Sequence, residues 1–237
     1  MRSPLLLLAC SVAAFAQAPT PGASPATSAG LMNPASLRAK APDTYRARFT
    51  TTKGDFVVEV DRSWAPRGAD RFYNLVSSGF FTDASFFRIV PGFIVQFGIP
   101  AKPSVAAVWK NANIADDPVK QSNKKGTLVF ATAGKNTRTT QLFINLNNNA
   151  ALDAQGFSPF GKVVEGMDVV QSLYSGYGED SSIDPRGRGP HQELVASQGK
   201  AYLDKNFPRL DSIKSASIVT ADAAQPPAGS TPALPKE

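Results

Sequence analysis

Tyr45, Ala47 and Phe49 alternate with polar residues, Thr51-Thr52-Lys53-Gly54-Asp55 interrupts them, and Phe56, Val58 and Val60 then alternate again. Side chains along a strand point to opposite faces, so two such runs across a Gly-containing turn predict a β-hairpin with one apolar face. A core that opens this way is committed to antiparallel sheet. Short apolar segments at 86–90, 93–97, 127–132, 141–146 and 160–164 continue the pattern between Gly, Pro and Asn, and 215–219 supplies a last strand. Two helices are predicted among them. Residues 67–78, after Pro66, set Ala69, Phe72, Leu75 and Val76 on one helical face, with Gly79 where a helix commonly ends. Residues 165–174 place Met167, Val170, Leu173 and Tyr174 at near-helical spacing behind an acidic start. From pattern alone the chain is an all-β barrel or sandwich with two helices.

The flanks of this core differ in composition. Met1-Arg2-Ser3-Pro4 is followed by an uncharged apolar run from Leu5 to Phe15, and Ala14-Phe15-Ala16 sets small residues before Gln17. Residues 1–16 therefore read as a secretory signal peptide, too short to span a bilayer, with cleavage expected after Ala16. Leu7-Leu8-Ala9-Cys10 offers the alternative of a lipoprotein box with lipid on Cys10, which would cut the apolar core to Leu5–Leu8. The expected location is periplasmic or secreted, with anchoring at Cys10 as the second option. Residues 17–42 and 221–237 are rich in Pro, Ala, Ser and Thr with few bulky apolar side chains. They read as a disordered linker and a disordered C-terminal tail around one domain at 43–220.

Two rare residues bound the chemistry. The 237 residues include one Cys, Cys10, and one His, His191. One chain cannot build a Cys/His zinc site or an internal disulfide from them, a Cys-His nucleophile pair would need Cys10, and a Ser-His-Asp triad would need His191. The expected reaction uses neither metal nor nucleophile, and no cofactor is expected. Formal net charge is +6 at pH 7, yet no Lys/Arg run exceeds Lys124-Lys125. Scattered charge of this kind is an ordinary solvated surface, and nucleic acid is not an expected partner.

One Arg and one Gln stand eight residues apart in Phe86-Phe87-Arg88-Ile89-Val90-Pro91-Gly92-Phe93-Ile94-Val95-Gln96, which is otherwise apolar or aromatic save for the bend. On strands either side of a Pro-Gly bend, alternation can bring Arg88, Phe93 and Gln96 to one surface. Taken singly, Arg88 could as well pair with a carboxylate at a strand edge, and Gln96 could be a satisfied core amide. A second apolar run, Phe130-Ala131-Thr132-Ala133 leading to Gln141-Leu142-Phe143-Ile144 across the polar loop 134–140, adds another amide beside another aromatic.

These segments resemble the cyclophilin-type peptidyl-prolyl cis/trans isomerases, in a bacterial, exported form. The matching residues are Phe86, Arg88, Pro91, Gly92, Phe93 and Gln96, then Ala131, Ala133, Gly134, Asn136 and Thr137, then Gln141, Phe143 and Ile144. Leu152-Asp153, Phe160-Gly161-Lys162-Val163 and Glu165-Gly166-Met167 complete an ordered set over about 45–178. The resemblance implies an eight-stranded antiparallel closed barrel capped by two α-helices, with proline-containing polypeptides as partners and rotation about Xaa-Pro bonds as the reaction. It assigns catalysis to Arg88, Gln96 and Phe93. Ile94, Phe143, Leu152 and Phe157 would form the proline pocket, Ala131, Thr132 and Ala133 would run beside the peptide, and Gln141 would line the adjoining groove. The expected biological role is folding of exported proteins by a monomer.

Three substitutions depart from the best-known members: Ile94 stands where they carry Met, Phe157 where many carry His, and Thr132 where many carry Asn. The Trp that helps them bind cyclosporin falls near Ala151, so weak cyclosporin binding is expected. The segment 99–118 is shorter than theirs, and 174–210, with Gly187-Arg188-Gly189-Pro190 and His191, looks like an elaboration of bacterial relatives. A catalytically weak proline-peptide binding module or chaperone using the same groove is the alternative function. A barrel carrier for small apolar ligands explains neither Arg88 nor Gln96.

Overall fold

The computed structural model describes residues 28–180 and 183–219. The expected signal peptide, the alternative lipidation site Cys10 and the tail 221–237 lie outside the described residues. The elements begin α1 (Ser28–Leu31), β1 (Thr44–Thr51), β2 (Gly54–Asp61), α2 (Pro66–Ser77), β3 (Arg88–Val90), β4 (Ile94–Phe97) and α3 (Pro103–Trp109). They continue β5 (Thr127–Phe130), β6 (Leu142–Asn145), β7 (Pro159–Glu165), α4 (Met167–Ser172), α5 (Gln192–Asn206) and β8 (Ile213–Val219).

The alternating run folds as predicted. β1 and β2 pair antiparallel, and Phe49 and Phe56 lie opposite each other with rings stacked at 4.9 Å. Such a cross-strand pair contributes roughly 0.2–1 kcal/mol. The apolar face of α2 delivers Ala69, Phe72, Leu75 and Val76 to the same core, where Phe72 meets Phe49 and Phe160 at 6.0 and 5.2 Å. Tyr45 donates its hydroxyl to the Ala69 carbonyl at 2.7 Å, and burial, with Asp70 nearby, pushes that hydroxyl's pKa far above its ordinary value. The N-terminus of α2 has no capping side chain of its own. Asp117, from a distant loop, accepts the Arg67 and Gly68 amides at 3.1 and 2.9 Å instead.

All eight predicted strands form one antiparallel sheet in the order β3-β4-β6-β5-β7-β2-β1-β8. The expectation of a closed barrel is corrected: β3 and β8 are the two edges of an open, curled sheet. β3 has only three residues and is preceded by turns, so no ladder can run along β8. The edges meet through the segment before β3, where the Asp83 and Phe86 amides donate to Ile213 and Asp211 and Ala84 accepts from Ile213.

The number of helices also differs, since five α-helices lie among the described residues. α3 is short, and α5 is broken at Gly199, whose φ of +64° interrupts helical geometry. The disorder expected through residue 42 does not hold for the part described. Leu31 and Leu37 pack on the core, Ala41 is buried, and Trp109 donates its indole N–H to the Leu31 carbonyl at 2.8 Å. Asn74 accepts the Ala39 amide at 3.0 Å and Asp70 accepts that of Ala41 at 2.9 Å. A few isolated apolar side chains and three well-placed acceptors suffice to dock a Pro-rich segment.

Candidate active site

Val90-Pro91-Gly92-Phe93 is the bend that builds the site. Pro91 supplies the first central position, Gly92 takes φ of +73°, and the Phe93 amide donates to the Val90 carbonyl at 3.0 Å. That turn sets the β3–β4 register so that Arg88 and Gln96 are direct partners. The Arg88 guanidinium donates from Nη1 to the Gln96 amide oxygen at 2.7 Å, and the Gln96 amide nitrogen donates to Gln141 Oε1 at 2.8 Å. With both ends of a buried Gln96 engaged, the rotamer of Arg88 is supported from beneath.

All eleven residues singled out from the sequence line one cleft of about 700 Å³. Ile94, Val129 and Phe143 form a buried apolar cluster, and Phe93, Ala131, Leu152 and Phe157 pack on it. Phe143 and Phe157 meet edge to face at 5.5 Å. The result is an apolar hollow beside a cation. Asn149 holds the Phe93 carbonyl at 2.9 Å and Asn123 holds that of Phe157, also at 2.9 Å. Burial alone would raise the Asp153 carboxyl, but bonds from Ser122 and from the Asn123 side chain and amide hold it below its ordinary value. These four polar residues fix the backbone that presents Phe93, Leu152 and Phe157.

The opposite wall is the loop after β5. Thr132 turns its hydroxyl into the loop, meeting Gly134 O and Thr137 Oγ1, and Thr137 Oγ1 accepts the Ala133 amide at 2.9 Å. The Ala131 amide donates to Gln141 O at 2.9 Å. Arg71, one turn into α2, reaches behind this wall and donates to the Ala112 and Thr139 carbonyls at 2.7 and 3.1 Å. Burial pushes the Arg71 pKa down to about 10, and its guanidinium lies 5.1 Å from the Trp109 ring.

Sequence reasoning missed Glu179. Its carboxylate grips Arg88 side-on, taking Nε at 2.5 Å and Nη2 at 2.6 Å, with 13 % of the Arg88 side chain and 20 % of the Glu179 side chain exposed. Lys110, Asn111, Asn113, Ile183 and Gln192, which line the cleft itself, were likewise not foreseen. No spacing rule links them to Arg88, because they come from the segment that follows α3 and from the elaboration. No group of three or more His, Cys, Asp or Glu is placed to hold a metal among the described residues.

This chemistry is an apolar ring pocket beside a fixed multi-donor cation, with amides for a peptide backbone. A family model described as "Cyclophilin type peptidyl-prolyl cis-trans isomerase/CLD" matches residues 46–188, which include β3, β4 and the whole cleft wall through Phe157. Peptidyl-prolyl cis-trans isomerase A of Dickeya dadantii is 34% identical over 156 residues, covering 62% of this chain and 76% of that protein. Peptidyl-prolyl cis-trans isomerase-like 1 of Aspergillus oryzae is 33% identical over 141 residues, covering 57% of this chain and 87% of the relative. A crystal structure of a Cryptosporidium parvum cyclophilin type isomerase shares the fold with a TM-score of 0.55 and 21% identity, over 75% of this chain and 98% of that one. The same protein was also solved in the presence of the dipeptide Ala-Pro, and that structure matches with a TM-score of 0.54 and 22% identity over 74% of this chain and 99% of that one. Since the family match spans more than half of the 237 residues and contains the cleft that the fold assembles, the chain belongs to the cyclophilin-type peptidyl-prolyl cis-trans isomerases.

Proposed function

We propose that this isomerase accelerates Xaa-Pro rotation in flexible exported polypeptides, with Arg88 as the group that stabilises the twisted bond. Rotation meets a barrier of ~18–20 kcal/mol because nitrogen donates its lone pair to the carbonyl. At the top of the barrier the proline nitrogen has recovered that lone pair and accepts a hydrogen bond. A fixed N–H donor aimed there binds the twisted state better than either planar state, which is the requirement for catalysis. Arg88 beside the hollow of Ile94, Phe143, Leu152 and Phe157 is the observation that carries this reading. Phe93 walls the hollow, Gln96 steadies Arg88 and can reach a substrate carbonyl, and the loop segment Ala131–Ala133 after β5 lies along the peptide path. The Ala-Pro dipeptide used with the structural relative is the same chemical class.

The test is a protease-coupled assay on an Ala-Ala-Pro-Phe anilide, comparing wild type with Arg88→Ala. Loss of one well-placed donor should lower kcat/KM about 10²–10³-fold, or ~2.7–4 kcal/mol. A wild-type protein that gives no acceleration would leave only a proline-peptide binding module. Export is the second half of the proposal and rests on Arg2, the apolar run and Ala14-Phe15-Ala16. The intact mass of the mature protein, in cell fractions, checks it: a chain beginning at Gln17 in the periplasm or medium is expected, and a lipidated Cys10 terminus overturns soluble export.

A further inference from the structure

Glu179 approaches Arg88 from outside the cleft. Arg88 and Gln96 both line the cleft, whereas Glu179 lines a neighbouring depression with Ser175–Gly178 and Arg186–Arg188. A guanidinium has five N–H donors. Glu179 takes one on Nε and one on Nη2, and Gln96 takes one on Nη1, so each Nη keeps one N–H unbonded by these two partners. The carboxylate and the amide thus hold two sides of the group without consuming all its donors.

The backbone around Glu179 is built to keep it there. The Asp180 amide donates to Glu179 Oε1 at 2.8 Å, and the Gly189 amide donates to the Glu179 carbonyl at 2.7 Å. A side chain at Gly187 would bring its Cβ to 2.4 Å from that carbonyl, and one at Gly189 to 2.8 Å. Only glycine permits so close an approach, which accounts for the Gly187-Arg188-Gly189 motif. Asp180, itself buried, accepts the first amide of α5 at 3.2 Å. α5 in turn packs Val195 and Leu203 against Phe87, the residue before Arg88, and Ile99. The elaboration is therefore tied to the strand whose arginine it grips.

We propose that Glu179 is a positioning residue for Arg88, locking the guanidinium side-on so that its remaining N–H donors are held toward the bound Xaa-Pro bond. This rests on the reading of Arg88 as the catalytic donor. A bidentate carboxylate suits the task because it fixes the plane of the guanidinium as well as its place. The lock also reduces the reorganisation needed when the bond twists.

The experiment measures kcat and KM separately for wild type, Glu179→Ala, Glu179→Gln, Arg88→Ala and the Arg88→Ala/Glu179→Ala double variant, with thermal melts of each. Glu179→Ala is expected to lower kcat about tenfold or more, the scale of a lost hydrogen bond to a charged group, with KM within about twofold. Glu179→Gln keeps one acceptor and is expected to lie between. In the Arg88→Ala background the Glu179 change is expected to add nothing further. A Glu179→Ala enzyme at or above the wild-type rate, a loss carried by KM alone, or an equal loss in the Arg88→Ala background each overturns the proposal. If Glu179→Ala does not fold, Glu179→Gln carries the test, and an unchanged kcat overturns it. An Arg88→Ala enzyme at the wild-type rate sinks the reading of Arg88 itself. An enzyme sensitive at Arg88 and indifferent at Glu179 sinks only this inference.

Discussion

Arg88 and Gln96 face each other across β3 and β4 as direct register partners, and the guanidinium donates to the Gln96 amide oxygen at 2.7 Å. The other end of that amide donates to Gln141, so the three side chains form one hydrogen-bonded row across β3, β4 and the residue just before β6. Breaking the middle member should loosen both neighbours. Gln96→Ala is expected to lower kcat/KM about tenfold or more, by the worth of a hydrogen bond to a charged group. Protease-coupled kinetics check it, and an unchanged rate would separate Gln96 from catalysis.

The Arg88–Gln96 pair was legible because it lies within one motif, whereas its extension to Gln141, 45 residues further on, was not. Eight residues separate Arg88 from Gln96, and a Pro-Gly bend between two apolar strands returns the chain on itself. Glu179 was not legible, since it joins Arg88 from 91 residues away through a Gly-rich loop without periodicity. The apolar face of the β1–β2 hairpin could be read residue by residue, because alternation ties each side chain to one side of the sheet, and the structure pairs Tyr45 with Val60, Ala47 with Val58 and Phe49 with Phe56. Closure could not: whether β3 pairs with β8 depends on the turns from Phe80 onward, which carry no strand pattern. α5 was hidden by Gly199, whose close approach to the Ala101 carbonyl breaks the helical run.

Acid should undock the N-terminal segment. Burial would raise the Asp70 carboxyl, but the bidentate Arg62 pair at 2.7 and 2.9 Å and the Ala41 amide hold it below its ordinary value. A carboxyl depressed in the folded state adds stability above its unfolded pKa of about 4, and that stability disappears as pH falls through the folded value. Asp70→Asn is expected to cost about 1 kcal/mol near neutrality, the partial exposure of the pair limiting the loss. Urea titrations of both proteins from neutral pH downward should show the gap closing in acid. A constant gap would place the effect elsewhere.

Cyclosporin should inhibit weakly. The position that resembles the family's cyclosporin-contacting Trp falls near Ala151, an exposed residue of the 3-10 helix Ala150–Gln155 beside the cleft. An Ala there offers neither an indole N–H nor the area of a large ring. Inhibition in the isomerase assay is expected only at micromolar concentrations or above, and nanomolar inhibition would contradict the assignment.

Gly98 couples the stability of the sheet to the cleft. It ends β4 with φ of +100°, and a Cβ there would lie 2.4 Å from the Thr140 carbonyl and 3.0 Å from the Gln141 Cα. Thr140 in turn donates its hydroxyl to the Gly98 carbonyl at 2.9 Å. Gly98→Ala thus faces two penalties at once, a backbone conformation unfavourable to L side chains and a clash with backbone that has no flexible end to move. Strain of the first kind alone costs about 1–3 kcal/mol, so a destabilisation of roughly 2 kcal/mol or more is expected in urea unfolding. The relief available is a shift of Thr140 and Gln141 away from β4, which would pull Gln141 off the Gln96 amide. Activity should therefore fall in the fraction that remains folded, beyond what unfolding accounts for. A variant that is destabilised yet fully active per folded molecule would show that the Gln96–Gln141 bond does not matter to catalysis.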